Sequence, residues 1–363
     1  QGVVRAGDLD YRTKRLYLKG VWGKWSLKIG RDSERLGPGY HGSLLLDDNA
    51  PTMDLVRIRT EEPLFLPGKL ASLGGFRFMV FNATLNDDNP SPPDPRYGGG
   101  AGAIQNPYLL AMRFSYHPTS WLDLGLSRAI LYGGRGRETY DTPRDYWELF
   151  TATNENVFKG ESQRYDNDQY AAMDATVRFP GLNGVGPLKG GKVYYETGGT
   201  DLFASWQGDQ TGILPIQFAN RAHLAGGYLT TAVTDFRAEY AIAGPSWYQH
   251  HQYPQGYSFR GRPLGHFMGP DAFSYYFEIG RHLGPDWRLS GGFDYQKRGR
   301  SLARTETRKE GSLWLENRDL ELWGRPLSVR VDYLLAHVRD PLDDLEASER
   351  TETYLGVTVR IPL

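Results

Sequence analysis

The sequence predicts an all-β fold, a transmembrane antiparallel β-barrel of 16–18 strands, and three observations carry that prediction. Apolar and polar residues alternate along most of the chain, a period of two rather than the 3.6 of a helix. Many of the alternating runs are about ten residues long, enough for a tilted strand to cross an apolar band roughly 25 Å tall. The links between runs alternate between short turns and long loops, the plan of bacterial outer-membrane barrels. The averages conceal this: mean hydropathy is −0.54 over 363 residues, and no apolar run approaches the roughly 20 residues of a membrane helix. A barrel strand keeps one polar face, so a hydrophilic average is compatible with a membrane wall.

Sixteen strands are expected in order, near residues 3–11, 14–21, 25–31, 54–60, 76–85, 109–117, 121–132, 171–178, 192–197, 222–230, 234–243, 273–280, 287–297, 312–322, 327–338 and 351–361. The alternation is plain in the longer ones. Leu110, Met112, Phe114 and Tyr116 alternate with Ala111, Arg113, Ser115 and His117. Leu122, Leu124 and Leu126 follow the same rule, as do Phe236, Ala238, Tyr240 and Ile242. Phe273 to Ile279, Trp287 to Tyr295 and Leu327 to Leu335 continue it. Gly23-Lys24, Pro118-Thr119-Ser120, Leu283-Gly284-Pro285-Asp286 and Gly324-Arg325-Pro326 supply the short turns. The long links are 32–53, 86–108, 133–170, 198–221, 244–272, 298–311 and 339–350. Trp22, Trp25, Trp121, Tyr132, Trp287 and Trp323 sit near strand ends, where interfacial aromatic girdles belong. An even strand count puts both termini on the short-turn, periplasmic side. The whole chain, 1–363, reads as one barrel domain. Gln1 in place of a starting Met reads as a chain after signal removal, or a trimmed one.

Charge and composition exclude several functions. Lys plus Arg number 42 and Asp plus Glu 43, a formal net charge of −1, without the basic excess a nucleic-acid partner requires. With no cysteine, disulfides, thiolate chemistry and iron–sulfur clusters drop out. There is no G-x-S-x-G elbow, no H-E-x-x-H and no P-loop, so no enzyme is expected. No metal or cofactor is expected either. His250 and His251 are adjacent, and neighbours on a strand point to opposite faces.

The polar face should line the lumen. It carries Arg57, Arg59, Arg113, Asp174, Asp235, Arg237, Glu239, Glu278, Asp294, Arg330 and Asp332. A strongly selective pore would favour rings of one sign; mixed signs suggest ion-pair networks against inward-folded loops. In the loops, aromatic faces and planar polar groups combine as saccharide recognition requires. The candidates are Tyr40, His41, Asp48 and Asn49 in the first long link, Tyr146, Trp147 and Glu148 in the third, and Tyr248, Tyr257, Arg260, Arg262 and His266 in the fifth. Aromatic loops that pack on one another to close a barrel would look the same.

Three blocks resemble the capsule-assembly Wzi family. The first runs Gly30-Arg31, Leu36-Gly37-Pro38-Gly39-Tyr40, Gly42-Ser43-Leu44-Leu45-Leu46 and Asn49-Ala50-Pro51. The second is Gly261-Arg262-Pro263-Leu264-Gly265-His266 with Met268-Gly269-Pro270-Asp271-Ala272. The third is Val193-Tyr194-Tyr195-Glu196 running into Asp201. The resemblance implies an eighteen-stranded outer-membrane barrel whose extracellular loops fold over or into the lumen. It also implies a lectin-like, non-catalytic role in holding capsular or related polysaccharide at the cell surface. Family members carry a helical segment ahead of the barrel, whereas here a strand pattern begins almost at once. The alternative is a porin-like channel for saccharides or other solutes. Expected partners are surface polysaccharide, outer-membrane lipid and, on a third reading, a partner protein in an export or surface complex.

Overall fold

A computed structural model describes residues 14–87, 96, 104–137, 140–151, 167–182, 185–204, 216–250, 253–322, 325–344 and 346–360. The strands are β1 (Leu16–Trp22), β2 (Trp25–Asp32), β3 (Met53–Thr60), β4 (Leu64–Phe65), β5 (Gly75–Thr84), β6 (Tyr108–His117), β7 (Leu122–Tyr132), β8 (Asp168–Phe179) and β9 (Leu188–Ala204). They continue with β10 (Ile216–Thr231), β11 (Thr234–Ala243), β12 (Ser258–Phe259), β13 (Arg262–Pro263), β14 (Ala272–His282), β15 (Trp287–Arg298), β16 (Glu306–Leu322), β17 (Arg325–Arg339) and β18 (Glu349–Arg360). One helix, α1, spans Pro143–Thr151, and a 3₁₀ turn spans Gly68–Leu73.

Along the main path every strand pairs antiparallel with the next, in one 16-stranded sheet ordered β1-β2-β3-β5-β6-β7-β8-β9-β10-β11-β14-β15-β16-β17-β18, with β4 attached to β5. Strands β12 and β13 form a separate two-stranded hairpin. Of the expected strands, 3–11 lies outside the described residues, and every other one coincides with a strand of the sheet. Trp22 pairs directly with Trp25, closing β1 and β2 through a two-residue turn. Gly23 makes that turn at φ +54°, a conformation only glycine adopts without steric cost.

The pleat sorts side chains as the alternation requires. On β14, Tyr275, Phe277 and Ile279 are exposed, while Ser274, Tyr276 and Glu278 are buried. Exposed Leu126, Phe236, Phe293, Leu313, Val331 and Val357 continue this apolar outer wall. In water it would be a large hydrophobic liability; against hydrocarbon it is the stabilising face. Trp22, Trp121 and Trp287 stand exposed at short-turn ends.

Several strands are longer than expected, and the longest, β9, β10, β16 and β17, run to 17, 16, 17 and 15 residues. Their extra residues are mainly at the long-loop end, where Gly198, Gly199 and Thr200 pair with Ala172, Ala171 and Tyr170. A ladder that rises beyond the apolar band has water available to both faces. Backbone pairing then persists after the alternation fades, and links 198–221 and 298–311 shrink accordingly. Link 133–170 also contains α1 rather than only loop. Its start is a reciprocal cap: Thr142 N donates to Asp145 Oδ2 at 2.9 Å and Asp145 N to Thr142 Oγ1 at 3.2 Å. Pro143 occupies the first turn, where its missing N–H is not needed.

Candidate functional site

Two long links fold back along the inner face. Link 33–52 enters from the long-loop end of β2 and β3 and turns back beside strands far apart in the sheet. Its Glu34 accepts from Arg57 of β3 at 2.5 Å, and its Leu44 N donates to Glu196 of β9 at 3.2 Å. His41 Nε2 lies 2.9 Å from Asp294 Oδ2 of β15. Strands β3, β9 and β15 can meet one loop only if the sheet wraps around it.

The tip of this loop is bound by one carboxylate. Glu239 of β11 accepts from three successive backbone amides, Tyr40 N at 2.7 Å, His41 N at 3.2 Å and Gly42 N at 3.1 Å. Tyr194 Oη donates to the same carboxylate at 2.6 Å. Successive N–H groups around one anion form a nest, and charge-assisted bonds of this kind are the strong ones. Gly37 is needed nearby. It sits at φ +126°, and a Cβ there would fall 2.5 Å from Glu196 Oε2.

The fifth link, 244–271, packs over the first. Leu36, Leu44, Leu45, Leu46, Trp247, Tyr248, Tyr253, Tyr257, Leu264 and Met268 are all fully buried, in one cluster with inner-wall residues such as Leu55, Phe81, Leu109 and Leu224. Tyr248 Oη donates to Leu44 O and accepts from His266 N. The Tyr170 ring lies tilted against Tyr257 at 4.4 Å and meets Tyr248 edge-on at 6.0 Å. These contacts turn two polar-looking links into a second apolar core inside the sheet. Burial pushes the Tyr257 hydroxyl's pKa well up and holds His266 neutral, with its pKa lowered to about 3. Burial likewise raises Asp47 to about 7, against the pull of Arg35. Arg35 Nε stands 3.1 Å from Asp47 Oδ1.

The plug leaves a charged stripe on one side. Arg308 bridges Glu310 and Glu352 at 2.9 and 2.8 Å, and Arg330 pairs with Asp332 at 2.5 Å. These side chains are part-exposed. Arg113 clamps Asp174 through two bonds of 2.6 and 2.9 Å. Arg237 pairs with Glu278 at 2.5 Å, Arg288 reaches Asp235 at 3.3 Å, and Arg59 pairs with Glu61 at 3.0 Å. In each of these pairs a charge of one sign sits beside its opposite, as a packed lumen requires and a selective ring does not.

The loop candidates separate into three places. Tyr248, Tyr257 and His266 are wholly enclosed and present no face to a saccharide; they are the plug's packing. Their aromatic and polar character misleads in sequence because the surface they bury against belongs to another loop. Tyr40 and His41 lie deep in the lumen: the Tyr40 ring covers the Arg237 guanidinium at 4.1 Å, and His41 stacks on Tyr276 at 3.7 Å. Only Asp48, Asn49, Arg260 and Arg262 come together on the solvent face of the plug at the long-loop end. Asn49 Nδ2 donates to Pro263 O at 3.0 Å, and Arg260 N donates to Asp87 Oδ2 at 3.1 Å while its side chain reaches Asn86 O. Tyr146, Trp147 and Glu148 are elsewhere, on α1, which lies against the outer wall.

Sequence reasoning missed a cleft at the long-loop rim. A cavity of about 460 Å³ is lined by Tyr108, Tyr132, Tyr140 and Tyr146 with Asn106, Arg135 and Asp141. Tyr108 and Tyr132 are cross-strand neighbours at the ends of β6 and β7, with rings 5.5 Å apart. Tyr140 meets Tyr132 edge-on at 4.9 Å. The signal was available as Thr142-Pro143-Arg144-Asp145, a helix start that brings Tyr140 and Tyr146 back onto the strand ends.

A wall that is apolar outside, mixed in charge inside and plugged by its own long loops defines a β-barrel of the outer-membrane type. The chain belongs to the Wzi capsule assembly family, whose family model, capsule assembly protein Wzi, matches residues 5–351. Its fold resembles the solved Wzi of Escherichia coli, described as an outer-membrane protein involved in group 1 capsule assembly and a carbohydrate-binding β-barrel. That match has a TM-score of 0.66 at 18% identity and covers 95% of this chain and 69% of that one. Two Pseudomonas aeruginosa barrels, OpdQ and OprD, match at TM-scores of 0.53 and 0.52. Each is 10% identical, covering 95% and 96% of this chain and 78% and 79% of theirs. A Klebsiella pneumoniae protein described as an uncharacterized 55.8 kDa protein in the cps region is 27% identical over 158 residues. That stretch is 42% of this chain and 28% of the relative.

Proposed function

We propose that this chain is a non-catalytic outer-membrane barrel that holds capsular or related polysaccharide at the cell surface, with its short turns and both termini periplasmic. The plug carries this reading. A lumen occupied by an apolar core of loop side chains offers a binding surface rather than a passage, and the family's Escherichia coli member is described as carbohydrate-binding. The candidate surface is the polar roof of Asp48, Asn49, Arg260 and Arg262, with the tyrosine-lined cleft beside it. Tyrosine rings give a sugar an apolar face to stack on, and Asn106, Arg135 and Asp141 supply planar hydrogen-bonding groups for its hydroxyls. The test is retention of purified capsular polysaccharide on the immobilised barrel in detergent. The wild-type chain should retain polymer, and Arg260→Ala/Arg262→Ala or Tyr108→Ala should weaken retention at least about tenfold, the loss of roughly 1.4 kcal/mol. No retention by the wild type on any surface polymer tested would sink the reading.

The part-exposed ion-pair stripe along β16–β18 and the likeness to OprD-type barrels favour a second reading, a narrow path for small saccharides beside the plug. It predicts stepwise conductance in a planar bilayer.

A further inference from the structure

Helix α1 is placed where a barrel normally shows bare wall. Its Leu149 is fully buried with Ile130, Tyr132 and Tyr140, and Leu110 and Met112 pack against that cluster. Ile130 pairs with Leu110 and Leu126 with Phe114, and both pairs face outward. The helix therefore lies on the outside of β6 and β7, below the long-loop rim.

Two observations say what covers its far side. In a water-facing helix the side opposite the buried residues is polar. Here Asp145 and Leu149 face the wall, and the opposite side carries Pro143, Trp147 and Phe150, flanked by Thr151 and by Arg144, whose guanidinium pairs with Glu148 at 2.7 Å. Trp147 and Phe150 are 64% and 50% exposed, with rings 5.9 Å apart and nearly parallel. The helix thus continues the apolar outer wall rather than ending it.

The second observation is Arg128. It holds an outward position on β7, in register with Leu124 and Leu126, where an unscreened guanidinium would meet lipid unfavourably. Its Nη1 donates to Phe150 O at 2.6 Å and its Nη2 to Gln169 Oε1. The carbonyl end of α1, where the helix dipole is negative, lies over a cation that the strand pattern would otherwise leave facing hydrocarbon. Neither feature would be needed if this stretch of wall faced water.

We propose that α1 is a lipid-contact site: an outer-wall helix that screens Arg128 and seats Trp147 and Phe150 among the acyl chains of the outer leaflet, just below its headgroups. Such residues typically enter about 5–10 Å into the headgroup–acyl boundary. Tyr146 of α1 lines the rim cleft, but Trp147 and Phe150 stand outside it, and the test does not depend on polymer binding.

The chain has no cysteine, so single probes are straightforward. Trp147→Cys and Phe150→Cys, each labelled with an environment-sensitive NBD group, are reconstituted as the full chain in phosphatidylcholine nanodiscs. Phe277→Cys on the bare outer wall and Asp344→Cys on an exposed loop are the reference positions, and heat-modifiable gel mobility verifies folding. Lipid doxyl groups high on the acyl chain should quench both helix probes at least half as strongly as the probe at 277. Aqueous iodide should quench them about threefold less than the probe at 344. Iodide quenching equal to that at 344 would overturn the proposal by placing the helix in water. Shielding from both quenchers would also overturn it, because a protein neighbour would then cover the face.

Discussion

Removing the carboxylate of Glu239 should release the plug's tip. Three backbone amides, Tyr40, His41 and Gly42, converge on it within 3.2 Å, and Gly42 is buried, so water replaces the lost acceptor poorly. Hydrogen bonds to charged groups contribute about 1.5–3 kcal/mol each. Taking the lower figure because two of the three are long, Glu239→Ala should cost the tip about 4–5 kcal/mol. One decade corresponds to about 1.4 kcal/mol, so amide protection at residues 40–42 should fall roughly a thousandfold. Glu239→Gln keeps one acceptor oxygen and should fall in between. Hydrogen exchange on the reconstituted barrel reads both variants, with Val331 and Val357, paired across β17 and β18, as unaffected references. If Glu239→Ala leaves exchange at 40–42 within threefold of wild type, the nest does not hold the tip and the mechanism offered for the plug fails.

Other consequences follow from the same packing. Asp47 is raised to about 7 by burial. Its protonated form carries no penalty at pH 4, whereas above pH 7 a buried charge must form, and the plug loses stability as pH rises through that range. Asp47→Asn should therefore raise the melting temperature at pH 8 and leave it unchanged at pH 4, with an upper bound of about 4 kcal/mol. Gly37→Ala combines a left-handed φ with a clash on Glu196, so it should destabilise the plug by about 2 kcal/mol or more, measured as a lower denaturant midpoint. Removing the α1 cap with Thr142→Ala should cost about 1 kcal/mol locally. The readout is faster exchange across 143–151, with the strands unaffected.

The wall was legible in the sequence because its physics is local. A strand such as Phe273 to Ile279 declares both its conformation and its two environments by alternation, since one face must meet hydrocarbon and the other the lumen. The long links were not legible in the same way. Tyr248, Tyr257 and His266 look like surface recognition groups, and only the meeting of loops 33–52 and 244–271 buries them. Nothing within either segment encodes the other's position. Gly37 and Gly39, on either side of Pro38, are visible as turn formers, but the partner that makes Gly37 indispensable, Glu196, is far along the chain on β9. Helix α1 was readable from Thr142 to Asp145, yet its outward Trp147 resembles a loop aromatic until the wall beneath it is known. Asp48, Asn49, Arg260 and Arg262 are the loop candidates whose polar side chains come together at the solvent face.

The chain's own loops fold into its lumen, and a lumen closed in this way should not conduct. Single-channel recording of the full chain in a planar bilayer tests this directly. The filled lumen predicts a flat trace for the wild type, with conductance appearing in Glu239→Ala as the tip releases. Sustained stepwise conductance from the wild type, comparable to a porin recorded in the same bilayer, would contradict it.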